Sequence, residues 1–174
     1  ILIVWGAMGN ERIDIYELTR KDLAEDLQVR FGASSFRAVQ LYEWLYRRRV
    51  MDFASMTNIS REFRVQLSKN YDIIPATLRG IKTSFDGTRK YLWEVSPGSM
   101  VESVLIPHLQ RWTLCLSSQE GCAMGCIFCC TGRMGLRRNL SAGDIIRQVL
   151  GALIDAESRG LRAVSYTHLR AHET

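Results

Sequence analysis

The stretch GCAMGCIFCCTG, residues 121–132, places four of the chain's five cysteines, Cys122, Cys126, Cys129 and Cys130, within nine positions. Thiols spread along a chain to staple distant loops indicate a disulfide framework, whereas thiols packed into one loop indicate a metal or redox site. Gly121 and Gly125 supply the backbone freedom that a tight wrap requires. Just before the loop, RWTLCLSS (111–118) reads as a strand. Just after it, NLSAGDIIRQVLGALIDAE (139–157) reads as an amphipathic helix with Ser141 as N-cap and Ile145, Ile146, Val149, Leu150 and Leu153 on the buried side. RAVS (162–165) follows as a second strand, so strand, cysteine loop, helix and strand make the opening βα unit of an α/β fold.

Upstream, LRGIKTSFDGTRKYLWEV (78–95) holds two β-prone runs around Asp86-Gly87, a dipeptide suited to a tight hairpin, and MVESVLIP (100–107) reads as another strand. Further upstream the period becomes helical. One or two short helices run between Asp14 and Gly32, with Thr19 in a cap-like position. A second, SFRAVQLYEWLYRRRV (35–50), carries Phe36, Val39, Leu41, Trp44 and Leu45 on its apolar side and ends in Arg47, Arg48 and Arg49. A third spans about Ser60 to Lys69. The expected organisation is an N-terminal stretch at 1–11 that is non-native or flexible, a helical module at 12–76, a hairpin and linking strand at 77–110, and the start of a barrel at 111–163.

The whole-chain composition narrows the class. The 174 residues are 47% apolar and 24% charged, which excludes disordered and collagen-like chains and leaves enough apolar mass for one or two cores. ILIVW at residues 1–5 is too short to span a bilayer and lacks the flanks of a signal peptide, so neither membrane insertion nor export is expected, and a reducing cytoplasm suits the clustered thiols. A net charge of +5 is compatible with a nucleic-acid partner without indicating one. Met8 reads as a start, with residues 1–7 upstream of it. The tail VSYTHLRAHET (164–174) back-translates to a stretch resembling a sequencing-library adapter, so His168 and His172 are set aside as metal ligands despite their spacing.

Within the loop, Cys122, Cys126 and Cys129 have the spacing C-x3-C-x2-C. Thiolate selects iron–sulfur clusters or zinc, and three ligands leave one iron of a cubane open. Structural zinc favours four ligands in two separated pairs, and no second pair is present. Buried, inert thiols are the remaining reading. With an aromatic, Phe128, directly before the last cysteine, the motif resembles that of radical S-adenosylmethionine enzymes. The blocks VESVLIP, TLCLSSQEGCAMGCIFC, TGRMGLRRNL and DIIRQV, with SFRAVQLYEWLY and SFDGTRKYLWEV upstream, more narrowly resemble the bacterial dual-specificity RNA methyltransferases. The resemblance runs from about residue 12 to 163.

That resemblance implies a truncated, partial (βα)6 radical-SAM barrel behind a helical RNA-contacting module. It implies a 4Fe–4S cluster on Cys122, Cys126 and Cys129, S-adenosylmethionine on its open iron with the adenine near Phe128, and methylation of C2 of an adenosine in 23S rRNA and in certain tRNAs. It also implies a route through a 5′-deoxyadenosyl radical, which suits adenine C2, an electron-poor carbon that offers no nucleophile for ordinary methyl transfer. Glu102 matches the family's proton acceptor, and a carboxylate between apolar neighbours would be partly desolvated with its pKa raised. Cys115 matches the thiol that resolves a covalent protein–RNA adduct by forming a disulfide with a methyl-carrying cysteine. That cysteine lies beyond this sequence, so the fragment alone is expected to be inactive. Arg133, Arg137 and Arg138, with Arg47 to Arg49 as a second group, would neutralise RNA phosphates. A reducing electron-donor protein and a monomeric state complete the implied picture, and Cys130 has no role. Read without the resemblance, Glu102 is an exposed strand residue, Cys115 an inward-facing thiol and the arginines a solvated surface. A related methyltransferase acting on C8, and a non-catalytic zinc-binding RNA module, stand as alternatives.

Overall fold

The computed structural model describes residues 12–108, 111–160 and 164–169, and the chain divides between Ile73 and Ile74 into two compact units. The first opens with a short strand β1, Ile13–Asp14. Helix α1, Arg20–Phe31, starts in a capping box in which the Thr19 side chain accepts from the Asp22 N–H and the Asp22 carboxylate accepts from the Thr19 N–H. It ends at Gly32 in the left-handed region. Helix α2, Ser35–Tyr42, widens into a π turn over Glu43–Arg47. Helix α3, Arg61–Asn70, is capped by Ser60 and leads into β2, Tyr71–Asp72, which pairs in parallel with β1. Ile15, Leu23, Leu27, Leu41, Leu45, Met56 and Leu67 close the core. The three expected helices are present, with one correction: Phe36 and Val39 are exposed, and the buried stripe is Ala38, Leu41, Trp44 and Leu45. An i, i+3, i+7 stripe leaves the flanking positions of so short a helix in solvent.

In the second unit, β3 (Thr77–Thr83), β4 (Arg89–Ser96), β5 (Ser99–His108) and β6 (Arg111–Ser117) form an antiparallel meander. The first turn is the expected one: Gly87 adopts φ 85° and the Asp86 carboxylate accepts from the Thr88 N–H at 3.0 Å. After β6 come β7 (Gln119–Gly121), the one-turn helix α4 (Cys130–Arg133), β8 (Leu136–Asn139) and helix α5 (Ala142–Ser158). Strand β9, Val164–Leu169, then returns parallel to β6, giving a five-stranded sheet in the order β3-β4-β5-β6-β9. The hairpin expected as a linker is therefore continuous with the βαβ unit. Strand β9 lies in the segment set apart as a tail and overlaps the strand expected at 162–165. Residues 1–11, with Met8, and His172 lie outside the described residues. Among the described residues no helix is long and apolar enough to cross a membrane.

Alternation fixes the two faces of this sheet. Tyr91, Trp93 and Val95 on β4, Val101 and Leu105 on β5, and Leu114 and Leu116 on β6 face a core completed by Leu140, Ala152 and Ala156. Helix α5 begins in a second capping box, Ser141 with Asp144. Its contact face includes the expected Leu150, which is buried, with Ile145 and Val149 packed half-buried against the core, and it extends over Gly143, Asp144, Arg147, Gln148, Ala152 and Ala156, which are inside; Ile146 and Leu153 are half-buried. The helix approaches the sheet on its small residues, and the polar groups of its first two turns are absorbed by hydrogen bonds. Asp155 fastens the far end, accepting from Tyr91 Oη at 2.7 Å and from Arg89 Nη2 at 2.9 Å.

Gly151 sits against the Trp93 ring so closely that an added Cβ would lie 2.7 Å from Trp93 Cη2. Trp93 is 3% exposed and donates its indole N–H to Ser103 Oγ, so the ring cannot easily retreat. Gly151→Ala is expected to destabilise the chain by about 1–3 kcal/mol through overpacking. Chemical denaturation followed by tryptophan fluorescence measures this directly.

Candidate functional site

Strand β6 ends at Ser117, where its backbone passes from the sheet into the cysteine loop. Gln148 of α5 holds that exit: its side-chain oxygen accepts from the Ser117 N–H (3.1 Å) and its side-chain NH2 donates to the Ser117 carbonyl (3.0 Å). Strands β7 and β8 then form an antiparallel ribbon, pairing Gln119 with Asn139, Glu120 with Arg138 and Gly121 with Leu136. At its tip the Cys122 N–H donates to the Gly135 carbonyl at 3.0 Å. Gly121 adopts φ 80°, and a Cβ there would fall 1.8 Å from the Gly135 oxygen. Only glycine fits this neck.

Beyond the neck the loop is wound by further tight contacts. Gly125 adopts φ 61°, and the Cys129 N–H donates to the Cys126 carbonyl at 3.0 Å. A Cβ on Gly132 would lie 2.9 Å from the Cys126 nitrogen. Two sulfurs accept backbone N–H groups: Cys122 Sγ from Met124 at 3.5 Å and Cys129 Sγ from Gly132 at 3.4 Å. Cys122, Cys126 and Cys129 are half-buried and Cys130 is exposed. All five cysteines are free thiols, so the expected disulfide of Cys115 is not formed; the cysteine that the resemblance pairs with it is not in this sequence. Around the thiols stand apolar side chains in solvent, with Ile127 and Phe128 89% and 92% exposed.

Among the described residues no group of three or more His, Cys, Asp or Glu side chains is gathered as a metal site. The loop therefore collects the three expected thiols in one segment without aiming them at one point. The donor set nevertheless fits a thiolate-ligated cluster. The sulfurs are soft and unbridged, and two of them receive N–H groups of the kind that tune cluster ligands.

Glu102 and Cys115 lie on the face of the sheet opposite to α5. Glu102 opposes Leu92 across β4 and β5, and Cys115 opposes Val104 across β5 and β6, each out of phase with the buried Val101, Leu105, Leu114 and Leu116. The structure brings these two expected residues onto one surface. The desolvated setting expected for Glu102 is not found, because its side chain is half exposed and ion-paired to Lys90 Nζ at 2.7 Å. The strand presents this carboxylate to solvent and to a cross-strand ammonium.

Of the expected phosphate-binding arginines, Arg133 and Arg137 are exposed, and Arg137 pairs with Glu120 at 3.0 Å. Arg138 is partly buried, and its guanidinium reaches Asp144, Ser96 and Ser99 within the second unit. In the first unit Arg48 lies over the Trp44 ring, 4.3 Å from its centroid. Sequence spacing missed Glu120, which is 6% exposed. The Ser99 hydroxyl (2.6 Å) and then Arg137 and Arg138 hold its carboxyl below the usual carboxylate range, against the opposing effect of burial. The one available signal was a Glu and an Arg at positions that a ribbon would pair.

Residues 13–73 match the model of the ribosomal RNA large subunit methyltransferase N-terminal domain. The chain is 45% identical over 139 residues to a dual-specificity RNA methyltransferase RlmN of Geotalea uraniireducens, covering 80% of this chain and 40% of that protein. It is 47% identical over 133 residues to a probable RlmN of Porphyromonas gingivalis, covering 76% and 39%. A crystal structure of a radical SAM methyltransferase from Sphaerobacter thermophilus aligns with a TM-score of 0.78 at 36% identity, covering 88% of this chain and 45% of that one. The chain thus spans less than half the length of the relatives it matches.

Gly121→Ala is expected to open the neck, since it combines a left-handed backbone costing roughly 1–2 kcal/mol for a residue with a Cβ with the clash against Gly135. Tryptic cleavage after Arg133 and Arg137 should become several-fold faster than in the unaltered chain, while cleavage in the helical unit stays constant.

Proposed function

We propose that this chain, an RlmN-family dual-specificity RNA methyltransferase homologue covering part of the full-length enzyme, carries the cluster-binding segment of a radical-SAM methyltransferase that modifies C2 of an adenosine in 23S rRNA and tRNA. The observation that supports this most strongly is a set of three free, half-buried thiols, Cys122, Cys126 and Cys129, in one glycine-necked loop between β6 and α5. In this reading the three sulfurs hold an iron–sulfur cluster, and the cluster with bound S-adenosylmethionine supplies the radical reactivity that an electron-poor aromatic carbon requires.

The chain's own residues then have separable tasks. The neck and the Gln148 contacts orient the loop relative to the sheet. Phe128 and Ile127, exposed beside the thiols, offer apolar surface to an adenine and help exclude water from the site. Glu102 accepts a proton as a carboxylate oriented by Lys90, and Cys115 supplies a thiol on the same face of the sheet. Arg133 and Arg137 offer cations to RNA phosphates, with Arg137 shared between Glu120 and solvent. The domain match at residues 13–73 supports an RNA-contacting role for the helical unit.

The full-length protein, reconstituted anaerobically with iron, sulfide and reductant, is expected to release 5′-deoxyadenosine and to leave methyladenosine in digested 23S rRNA and tRNA. Mass spectrometry against standards reads the methylated position: C2 agrees with the proposal, and C8 assigns the protein to the related activity. Bound zinc with no cleavage of S-adenosylmethionine would identify a non-catalytic RNA-binding module instead.

A further inference from the structure

The neck of the cysteine loop is tied to the rest of the second unit by one side chain that none of the roles above uses. Arg138, on β8, sends Nη1 to Asp144 Oδ2 at 2.6 Å and Nη2 to Ser99 Oγ at 2.7 Å and Ser96 Oγ at 2.9 Å. Its Nε lies 3.5 Å from Glu120 Oε2. Those four partners belong to three different places: Glu120 is the middle of β7, Asp144 is in the first turn of α5, and Ser96 and Ser99 flank the β4–β5 turn. The two carboxylates it joins are almost fully withdrawn from water, with side chains 8% and 3% exposed. Each also has a second cation, Arg137 for Glu120 and Arg147 for Asp144. Arg138 is thus not needed merely to neutralise either acid. What it adds is a planar fork linking both, at the register position that closes the ribbon beneath Gly121.

We propose that Arg138 is a positioning residue for the cysteine loop. It fixes the ribbon β7–β8 against the start of α5 and the β4–β5 turn, and so sets where the segment that carries Cys122 and Cys129 stands. The proposal rests on the reading of Cys122, Cys126 and Cys129 as cluster ligands. It makes Arg138 an outer partner of that site rather than an RNA contact, and it predicts that geometry matters more than charge. Lysine at this position can reach one carboxylate or one hydroxyl pair but cannot span both acids with a rigid fork.

The test uses the 174-residue chain reconstituted anaerobically with iron and sulfide. It compares the unaltered chain with Arg138→Ala, Arg138→Lys and Arg159→Ala, the last removing an exposed cation elsewhere. Iron release to a chelator is followed at a fixed interval below each variant's own unfolding temperature, so that a loss of global stability does not move the readout. Outer partners of metal ligands typically alter affinity by about 10- to 100-fold, and release from Arg138→Ala is expected to accelerate within that range. Arg138→Lys should stand between Arg138→Ala and the unaltered chain, with Arg159→Ala unchanged. Release at the unaltered rate in Arg138→Ala overturns the proposal. If Arg138→Ala does not fold, Arg138→Lys decides: unaltered release overturns the proposal and faster release supports it.

If the unaltered chain takes up no iron, the cluster reading fails by itself. Arg138 is then judged by thiol alkylation in the metal-free chain. Faster modification of Cys122 and Cys129 in Arg138→Ala, with Cys115 unchanged, supports a positioning role, and equal rates overturn it.

Discussion

The close approach of Gly121 to the Gly135 carbonyl is the contact on which the site depends. A side chain at position 121 would occupy the space of that oxygen, and the left-handed backbone there turns the chain out of β7 directly into Cys122. The hydrogen bond from the Cys122 N–H to Gly135 then closes the loop on itself. Everything between, including all three candidate ligands, is carried as one bounded segment. What enters and leaves the neck is fastened in turn by Gln148 at the end of β6 and by the capping box that begins α5. The thiol-bearing loop is thereby confined at its base.

The sheet divides the chemistry between its faces. On one, tryptophan, tyrosine and branched side chains pack under the small residues of α5, and Trp93 against Gly151 sets how near the helix may come. On the other, Glu102, Lys90 and Cys115 project from three adjacent strands. Period-two alternation leaves no intermediate choice: shifting β5 by one residue would turn the carboxylate toward the core and Val101 and Leu105 out of it. The proposed reacting groups and the structural core are therefore fixed by the same register.

Local signals in the sequence foretold local structure well. Thr19, Asp86-Gly87 and Ser141 each mark a cap or turn that the structure contains, because their hydrogen bonds reach only two or three residues. Partners distant along the chain were not legible. Nothing in the spacing of Arg138 reveals that Ser96, Ser99 and Asp144 surround it, so a side chain engaged within the unit read as a free surface cation. The same blindness hid Gly143, Asp144, Arg147 and Gln148, which are buried alongside the expected apolar side of α5. Amphipathic periodicity identifies a helix, but the contact face of α5 was decided by glycine and alanine against a tryptophan and by polar groups satisfied within the unit. The cysteine spacing placed the thiols in one loop between a strand and a helix, and the structure has that loop between β6 and α5.

Serine substitution of each cysteine in turn, with iron and sulfide content measured after anaerobic reconstitution, tests the central claim most directly. Cys122→Ser, Cys126→Ser and Cys129→Ser should each abolish stable iron binding, whereas Cys115→Ser and Cys130→Ser should retain about four irons and four sulfides per chain. Equal iron content in all five variants, or loss confined to Cys115→Ser or Cys130→Ser, would contradict the assignment of the loop as the cluster site.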